Sequence, residues 1–285
     1  MNKFLKVGLL IPCMIAISVL SCKKDKTEET VPTPDDSGAA IVAGTKSCLL
    51  IKLTYDGGDY ETYEYDSKNR PVKNNSFSNG VPDGYKKITY NGNDISQEYY
   101  DNNNVKEDVY TFKLGSNGYI SSAANSNSYT NGGYNYTETE NYTITYNAEG
   151  YLTKVVNTEV STSDKPGYVS QTSTSTQNYT YSNGNLISFE NTSGLSTLTT
   201  RYEYYTDKPN NLPRGEGDEV LDFLLGKRST NLLKKETETP GTSTTNTPSY
   251  IGNYTYSFNA DGLVSKKTTS NDSYTDNQTF EYGCR

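Results

Sequence analysis

Short runs in which apolar or aromatic residues alternate with polar residues recur along most of this chain. In the segment 144–152, Ile144 and Tyr146 point to the same face of a strand, because side chains alternate with a period of two. Asn147 then begins a polar turn, and Gly150 supplies the left-handed conformation that returns the chain to a second strand. The segment therefore predicts one β-hairpin.

Other segments repeat this order of strand, polar turn and strand. They are 63–72, 88–95, 110–120, 179–186 and 256–264. Their spacing is irregular, which is typical of hairpins of variable length and not of a strict solenoid. We therefore predict an all-β fold, a long antiparallel meander of repeated β-hairpins that forms one curved sheet or a partly closed barrel.

One segment departs from the strand pattern. Residues 218–226 contain the densest apolar cluster after the N-terminal region, and they predict one short helix. Asp218 is placed to cap its start and Gly226 to end it. We expect this helix to plug one end or face of the sheet, since exposed apolar patches of such density are unusual. The alternative is a docking patch for a partner.

The N-terminal region has the pattern of a lipoprotein signal peptide, which we assign to residues 1–21. Lysines precede an apolar run that is too short to span a bilayer comfortably. The run ends in the sequence Val19-Leu20-Ser21-Cys22, which resembles the bacterial lipobox. This resemblance implies cleavage before Cys22 and acylation of that cysteine, which would anchor the mature chain to a membrane.

The mature chain then divides into two parts. Residues 22–46 are rich in charged residues, Pro, Gly and Thr, and they predict a lipidated flexible tether. Residues 47–285 predict a single β-hairpin-repeat domain. The charged cluster directly after Cys22 resembles the export signal of Bacteroidetes-type surface lipoproteins, which implies an outer-membrane anchor on either the periplasmic or the cell-surface side.

The hairpin corners also carry a family resemblance. Their pattern of aromatic, any residue, aromatic, Asp or Asn is seen at 63–66 and at 256–259, and the corner at 144–147 has Ile144 in place of the first aromatic residue. It resembles the YD-type repeats of cell-surface proteins. Together with the lipobox, it makes the chain similar to tyrosine-rich Bacteroidetes lipoproteins of unknown function. The resemblance implies an architecture and no activity.

Two cysteines remain once the signal peptide is removed and Cys22 is acylated. They are Cys48, at the start of the first strand, and Cys284, next to the last residue. In an oxidising compartment we prefer a Cys48–Cys284 disulfide. Such a bond requires the sheet to curl until its first and last strands meet, whereas free thiols would favour an open sheet.

The residue types exclude several kinds of chemistry. The chain has no histidine, which removes histidine-based catalytic sites and histidine-ligated zinc. A net charge of −8 argues against nucleic-acid binding. We therefore predict no enzyme, no metal and no cofactor. The carboxylates of Asp218, Glu219 and Asp222 leave a glycoside hydrolase as a distant alternative. The Asp/Asn-rich segments 101–104 and 272–277 are interpreted as turns.

A transmembrane β-barrel requires apolar side chains at alternate positions over about ten residues of each strand. Stretches such as 161–179 carry Ser, Thr and Gln instead, and we therefore reject a transmembrane barrel.

Two classes of function remain. The first is a binding or interaction module, in which outward-facing tyrosines contact a glycan or a protein partner. Adjacent tyrosines in a strand place one ring on each face, so the candidate ligand surface consists of Tyr99, Tyr100, Tyr204 and Tyr205. The second is a structural or accessory subunit of an envelope complex. We prefer the binding module, with the membrane as a partner through the lipid on Cys22.

Overall fold

The computed structural model describes residues 41–43, 46–214, 221–241 and 247–284. Within these ranges the regular elements are strands and one 3-10 turn, Asp222–Leu224. The strands are β1 Ile41–Ala43, β2 Lys46–Tyr55, β3 Tyr60–Tyr65, β4 Pro71–Ser78, β5 Val81–Asn91, β6 Asp94–Asp101, β7 Lys106–Leu114, β8 Ile120–Asn131, β9 Tyr134–Tyr146, β10 Leu152–Ser163, β11 Gln171–Ser182, β12 Asn185–Ser193, β13 Ser196–Pro209, β14 Asn231–Pro240, β15 Tyr250–Phe258, β16 Val264–Ser270 and β17 Thr275–Cys284.

The sixteen strands β2–β17 form a closed antiparallel barrel. Each pairs with the strands before and after it in the chain, and β17 pairs with β2 to complete the ring. The predicted all-β meander is therefore confirmed. The short strand β1 pairs with the start of β2, so the paired chain begins before the predicted domain start at residue 47. The predicted signal peptide and Cys22 lie outside the described residues.

The hairpin corners have the predicted geometry. At the corner between β9 and β10, Asn147 Oδ1 accepts hydrogen bonds from the backbone N–H groups of Glu149, at 3.1 Å, and Tyr151, at 2.9 Å. Gly150 has a φ of 88°, in the left-handed region that glycine adopts readily. Asp66 and Asn259 accept equivalent pairs of bonds at two other corners. The repeated motif thus fixes where strands end.

The two ends of the barrel differ. Even-numbered strands from β2 start at the end where Lys46 and Cys284 lie, and odd-numbered strands finish there. The long connection between β13 and β14, which contains the 3-10 turn, lies at the same end. We call this end the plug end and the opposite one, which includes the β8–β9 turn at 132–133, the open end.

The apolar cluster of the β13–β14 connection packs inside the barrel at the plug end. Leu221, Phe223 and Leu224 are buried and contact Ile88, Ile95 and Ile120 of the wall, among others. Residues from strands that are not neighbours in the ring meet only across the interior, so this cluster fills the lumen. The predicted plug is confirmed, and the alternative of an exposed docking patch is wrong.

The helical part of this segment is shorter than predicted. Asp222–Leu224 forms a single 3-10 turn in place of a helix near 218–226, and Gly226, with a φ of 91°, follows it. Asp218 and Glu219 lie outside the described residues. A single turn is sufficient to direct Leu221, Phe223, Leu224 and Leu225 into the lumen, because the surrounding strands supply the rest of their apolar contacts.

Along β8, burial falls from the plug end to the open end. In β8, residues at the plug end such as Ile120 and Ala123 are buried, while the residues from Ser126 to Asn131 are exposed on both faces. A wall that is solvated on both faces indicates a water-filled lumen. The barrel is therefore a cup, filled at the plug end and accessible to solvent at the open end.

Candidate functional site

The strand registers decide which side chains face the lumen. Leu53 and Phe280 are buried and lie opposite one another in β2 and β17, and both belong to a second cluster that spans the interior. A residue that is paired with Leu53 or Phe280 across neighbouring strands also faces the lumen. So does every second residue along the same strand, because side chains alternate between the two faces. The lumen-facing positions are rich in Tyr, Asn, Gln, Glu and apolar residues.

The outward-facing positions have a different composition. They carry mainly Thr, Ser, Asn, Lys and Glu, as in the row in which Thr176 lies opposite Thr192 and Thr192 lies opposite Thr197. The hydroxyls of Thr192 and Thr197 are 3.3 Å apart. In the described strands such a wall presents hydrogen-bonding groups to its surroundings, and exposed apolar side chains such as Ile51, Ile187 and Ile251 are interspersed among them.

A cavity of about 320 Å3 lies in the lumen between the plug and the wall. Its apolar lining comes from both the plug and the strands β7–β10. The lining residues are Gln97, Tyr99, Tyr110, Phe112, Ile120, Ala123, Tyr142, Ile144, Leu152, Val155, Gln177, Tyr179, Leu221, Asp222 and Leu225. A cavity of this size, mostly apolar with a few convergent polar groups, is typical of small-molecule sites.

The polar groups of the cavity are held in pairs along the strands. Gln97 Nε2 donates to the Tyr99 hydroxyl at 2.5 Å, and the Tyr179 hydroxyl donates to Gln177 Oε1 at 2.8 Å. The members of each pair are two residues apart and therefore share the lumen face. This pairing fixes the orientation of the tyrosine rings, because a hydroxyl with a partner restricts the rotation of its side chain.

Among the described residues, the plug contributes the one carboxylate of the cavity lining, Asp222. Its Oδ2 lies 3.7 Å from Arg228 Nε, and Arg228 Nη1 donates to the carbonyl oxygens of Leu212 and Pro213, each at 3.0 Å. Arg228 therefore ties the two arms of the β13–β14 connection together. The floor of the cavity is held in place by this network in addition to its apolar contacts.

Carboxylates lie in the lumen on the open-end side of the cavity. The Tyr142 hydroxyl donates to Glu140 Oε2 at 2.9 Å, and Glu140 lies opposite both Asn125 and Glu159 in the neighbouring strands. Asn125 Nδ2 donates to Asp108. Burial, together with the hydrogen bond to Glu140, raises the pKa of Tyr142 well above its ordinary value. The phenol therefore stays protonated and acts as a donor.

The doublet Tyr99–Tyr100 has one ring on each face, as predicted. Tyr99 lines the cavity, whereas Tyr100 faces outward and stacks on Tyr85 with ring centroids 4.7 Å apart. Lys73 Nζ lies 4.6 Å from the Tyr85 centroid, so the outer stack is closed on that side by a cation–π contact. The outward ring is engaged in the wall and offers little free face to a ligand.

The doublet Tyr204–Tyr205 departs from the prediction. The register shifts on both sides of Tyr204, and strict alternation is lost there. Tyr205 packs into the lumen cluster and donates to the Tyr254 carbonyl at 2.8 Å, while Tyr204 accepts from Ser229 Oγ at 3.0 Å. The expectation that these two rings lie on opposite faces is therefore wrong, and the four candidate tyrosines do not form one surface.

Cys48 and Cys284 form a disulfide, with an S–S distance of 2.05 Å and Cα atoms 4.0 Å apart. They lie at the plug end, away from the lumen cavity. Among the described residues, no group of three or more His, Cys, Asp or Glu side chains is arranged to hold a metal ion. The carboxylate of Asp101 accepts from the N–H groups of Asn103 and Val105, as a turn residue does.

A larger depression of about 790 Å3 lies on the outer wall. Its outward-facing lining consists mainly of short side chains, including Ser96, Thr111, Ala124 and Asn141. Tyr142 and Phe112 also border it, but their side chains face the lumen, so in the described strands no paired tyrosine and glutamine side chains converge on the outer depression. We therefore take the lumen cavity as the candidate site.

No protein-family model matches this sequence, and no curated protein matches it. Two of the solved structures that match the fold are porin-like proteins. One is a porin-like protein from Bacteroides vulgatus ATCC 8482, with a TM-score of 0.58 and 14% identity over 82% of this chain and 98% of that chain. The other is a porin-like protein from Bacteroides uniformis ATCC 8492, with a TM-score of 0.52 and the same identity and coverage.

The fold of this barrel is similar to that of the two porin-like proteins. At 14% identity this similarity concerns the architecture alone. In the described part of the chain, no helix is long and apolar enough to cross a membrane.

Sequence reasoning missed most residues of the cavity in this porin-like barrel. Tyr110, Tyr142 and Tyr179 were not among the candidates, although a signal for two of them was present. Glu140 and Gln177 each precede a tyrosine by two residues, and in both cases the two side chains are hydrogen-bonded on the lumen face. A pattern of Glu or Gln, any residue, Tyr therefore marks a hydrogen-bonded pair on one face of a strand, but not which face, since Glu98 and Tyr100 form such a pair on the outer wall.

Proposed function

We propose that this porin-like barrel is a lipid-anchored envelope protein that binds a small amphipathic molecule in its lumen. One observation carries the proposal, the cavity of about 320 Å3 whose apolar lining is joined by paired tyrosine and glutamine side chains. Such a lining favours a ligand with an apolar body, since burial contributes roughly 25 cal/mol per Å2 of apolar surface. The polar pairs would orient it.

The proposed anchor is the acyl-modified Cys22. The Thr- and Ser-rich outer wall supports a barrel that stands in water and is held by a lipid, because a hydroxyl-rich wall inserted in a bilayer would leave polar groups without partners. The porin-like fold is compatible with an outer-membrane location, on either its periplasmic or its surface side.

Glycans were the ligand class favoured on outward-facing tyrosines. The outward-facing rings give little support to glycan binding, because Tyr85 and Tyr100 stack on each other and Lys73 covers the Tyr85 ring. A sugar would instead have to enter the open half of the lumen. The same stacks favour the second candidate function, a structural or accessory subunit whose aromatic residues serve only the wall.

Two adjacent alanines allow a direct test. Ala123 faces the cavity and is 9% exposed, whereas Ala124 faces the outer depression. We would titrate the purified full-length protein, in its native form and as Ala123→Phe and Ala124→Phe, with the neutral fluorophore N-phenyl-1-naphthylamine and with hexyl glucoside. Circular dichroism would establish that each variant remains folded.

The proposal expects saturable binding to the native protein and to Ala124→Phe, and roughly tenfold weaker binding to Ala123→Phe, in which a phenyl ring occupies the cavity. If Ala123→Phe is unstable, Ala123→Leu takes its place. Its smaller side chain should cause an intermediate loss of affinity. Loss of binding in Ala124→Phe alone would move the site to the outer wall. Absence of binding to the native protein would leave the structural role as the better account.

A further inference from the structure

Acidic side chains form a belt around part of the lumen, directly on the open-end side of the cavity. Asp108 and Glu140 each precede a cavity tyrosine, Tyr110 or Tyr142, by two residues on the same strand face. Glu159 lies opposite Glu140 in the next strand. Directly opposed like charges are unfavourable for a sheet, so this pair is not explained by stability of the wall.

We infer that the ligand of the lumen cavity is an amphipathic cation, with an apolar body that fits the cavity and an amine or quaternary ammonium group that lies against Asp108, Glu140 and Glu159. The inference rests on the proposed function and adds the charge of the ligand to it. Two independent features carry it. The apolar cavity defines where the body lies, and the acidic belt defines the sign of the group at its mouth.

Acidic side chains also outnumber basic ones over the rest of the lumen-facing positions. The acidic residues at lumen-facing positions of the described strands include Glu61, Asp101, Asp108, Glu138, Glu140, Glu159, Glu236, Glu238 and Asp276. Among the described residues, the basic side chains at or against the lumen include Lys86 and Lys267 on the strands, Lys208 over the ring of Tyr205, and Arg228 beside Asp222 in the plug. A cleft lined by one sign of charge concentrates solutes of the opposite sign, because its walls focus the field. An anionic ligand would meet repulsion along the whole path from the open end.

The rings at the belt reinforce this preference. Tyr99 and Tyr110 make an edge contact with centroids 5.9 Å apart, and the Tyr142 hydroxyl is committed to Glu140. Their ring faces carry partial negative charge, which attracts ammonium groups more strongly when water is excluded. Lys86 Nζ already lies 5.7 Å from the Tyr99 centroid, so this part of the lumen accommodates a cation in the folded protein.

Three probes with the same six-carbon chain separate the body from the charge. They are hexyltrimethylammonium, hexyl glucoside and hexyl sulfate, each titrated into the purified full-length protein by isothermal calorimetry at low and at high salt. We expect hexyltrimethylammonium to bind roughly tenfold more tightly than hexyl sulfate, with hexyl glucoside between them. High salt should narrow the difference, because it screens the carboxylates.

Isosteric variants test whether the preference for the cation comes from the acidic belt. Glu140→Gln combined with Glu159→Gln removes two charges and keeps hydrogen-bonding oxygens, so it should weaken binding of hexyltrimethylammonium several-fold and leave hexyl glucoside unchanged. The control is Glu98→Gln, because Glu98 faces outward, where it pairs with Lys106 at 3.4 Å. This control variant should retain the full preference for the cation.

The outcomes separate the two claims. If hexyl sulfate binds as tightly as hexyltrimethylammonium, or if the double variant retains the native preference, the cationic ligand is refuted while binding of hexyl glucoside still supports the proposed function. If none of the three probes binds, the proposed function fails, and with it the charge assigned to the ligand.

Discussion

Cys48 lies directly opposite Cys284 in the register between β2 and β17, and the two sulfur atoms are bonded at 2.05 Å. These are the first and last strands of the barrel, so the disulfide lies across the seam at which the chain closes on itself. The bond spans a sequence separation of 236 residues. It therefore ties together the two parts of the barrel that are most distant in sequence.

Removal of this bond should lower stability substantially. Cross-linking distant residues restricts the unfolded chain, and the loss of such a bond costs about 2–5 kcal/mol. We expect the double variant Cys48→Ser/Cys284→Ser to unfold at a lower urea concentration than the oxidised protein. The reduced native protein is the control and should match the double variant. Equal midpoints for the oxidised and reduced protein would contradict a role of the bond in stability.

Tyrosine hydroxyls stabilise the plug end through a repeated contact. Those of Tyr65, Tyr146 and Tyr282 donate to the carbonyl oxygens of Leu50, Ile120 and Val264, each at 2.7 Å, and that of Tyr90 donates to Pro71 at 2.9 Å. In each case the tyrosine lies within the last three residues of an odd-numbered strand, and the acceptor lies in the preceding strand, so the contact joins neighbouring strands of the wall.

Tyr146→Phe should destabilise the protein by about 1–2 kcal/mol, because it leaves the Ile120 carbonyl without this donor. The matched control is Tyr129→Phe, since Tyr129 is 42% exposed near the open end and its hydroxyl donates to Glu138. Chemical unfolding followed by circular dichroism measures both. A change in Tyr129→Phe as large as that in Tyr146→Phe would mean that the buried contact has no special weight.

Local sequence predicted the strand ends well. Asn147 and Gly150 specify their corner by hydrogen bonds and backbone conformation within five residues, so no distant contact is needed to place them. The positions of Cys48 and Cys284 likewise led to a curled sheet whose edges meet. Where a residue's role depends on its immediate neighbours or on a covalent bond, the sequence is informative.

The face that became the interior was not predictable in the same way. The alternation of side chains along a strand shows that Tyr99 and Tyr100 lie on opposite faces. It does not show which of the two faces the lumen, because that depends on how the whole ring of strands closes. At Tyr204 a register shift removes even the alternation. The cavity was missed for a related reason: its lining joins β6–β11 to the plug, residues that are far apart in sequence.

The glycine that follows the plug offers a test of how closely the plug packs. A Cβ added at Gly226 would lie 2.7 Å from the Gly150 carbonyl oxygen and 2.9 Å from Tyr146 Cε1. Gly262 has a similar backbone, with a φ of 79° against 91° for Gly226, but a Cβ there meets nothing within 4 Å.

Gly226→Ala should therefore cost more stability than Gly262→Ala. Both variants carry the strain of a positive φ, of order 1 kcal/mol, and only the former adds a backbone clash that displaces the plug. Thermal unfolding measures the difference, and binding of N-phenyl-1-naphthylamine reports whether the cavity floor has moved. Equal losses in the two variants would show that the plug does not depend on this close contact.

Glu236 provides a prediction for pH dependence. It faces the lumen, where burial raises its pKa, and the hydrogen bond with Tyr254 and the charge of Lys267 oppose that rise only in part. A carboxyl whose pKa is raised by folding contributes stability that is complete below its unfolded pKa. That contribution is lost as the pH rises through the folded pKa, because the buried group must then ionise.

Glu236→Gln keeps a neutral side chain at every pH. The stability of the variant relative to the native protein should therefore be more favourable at pH 7.5 than at pH 4, by less than about 1 kcal/mol after solvent screening. Urea unfolding of both proteins at the two pH values measures this, and the comparison at each pH removes the contribution of all other groups. A relative stability that is constant, or that falls as the pH rises, would contradict the raised pKa of Glu236.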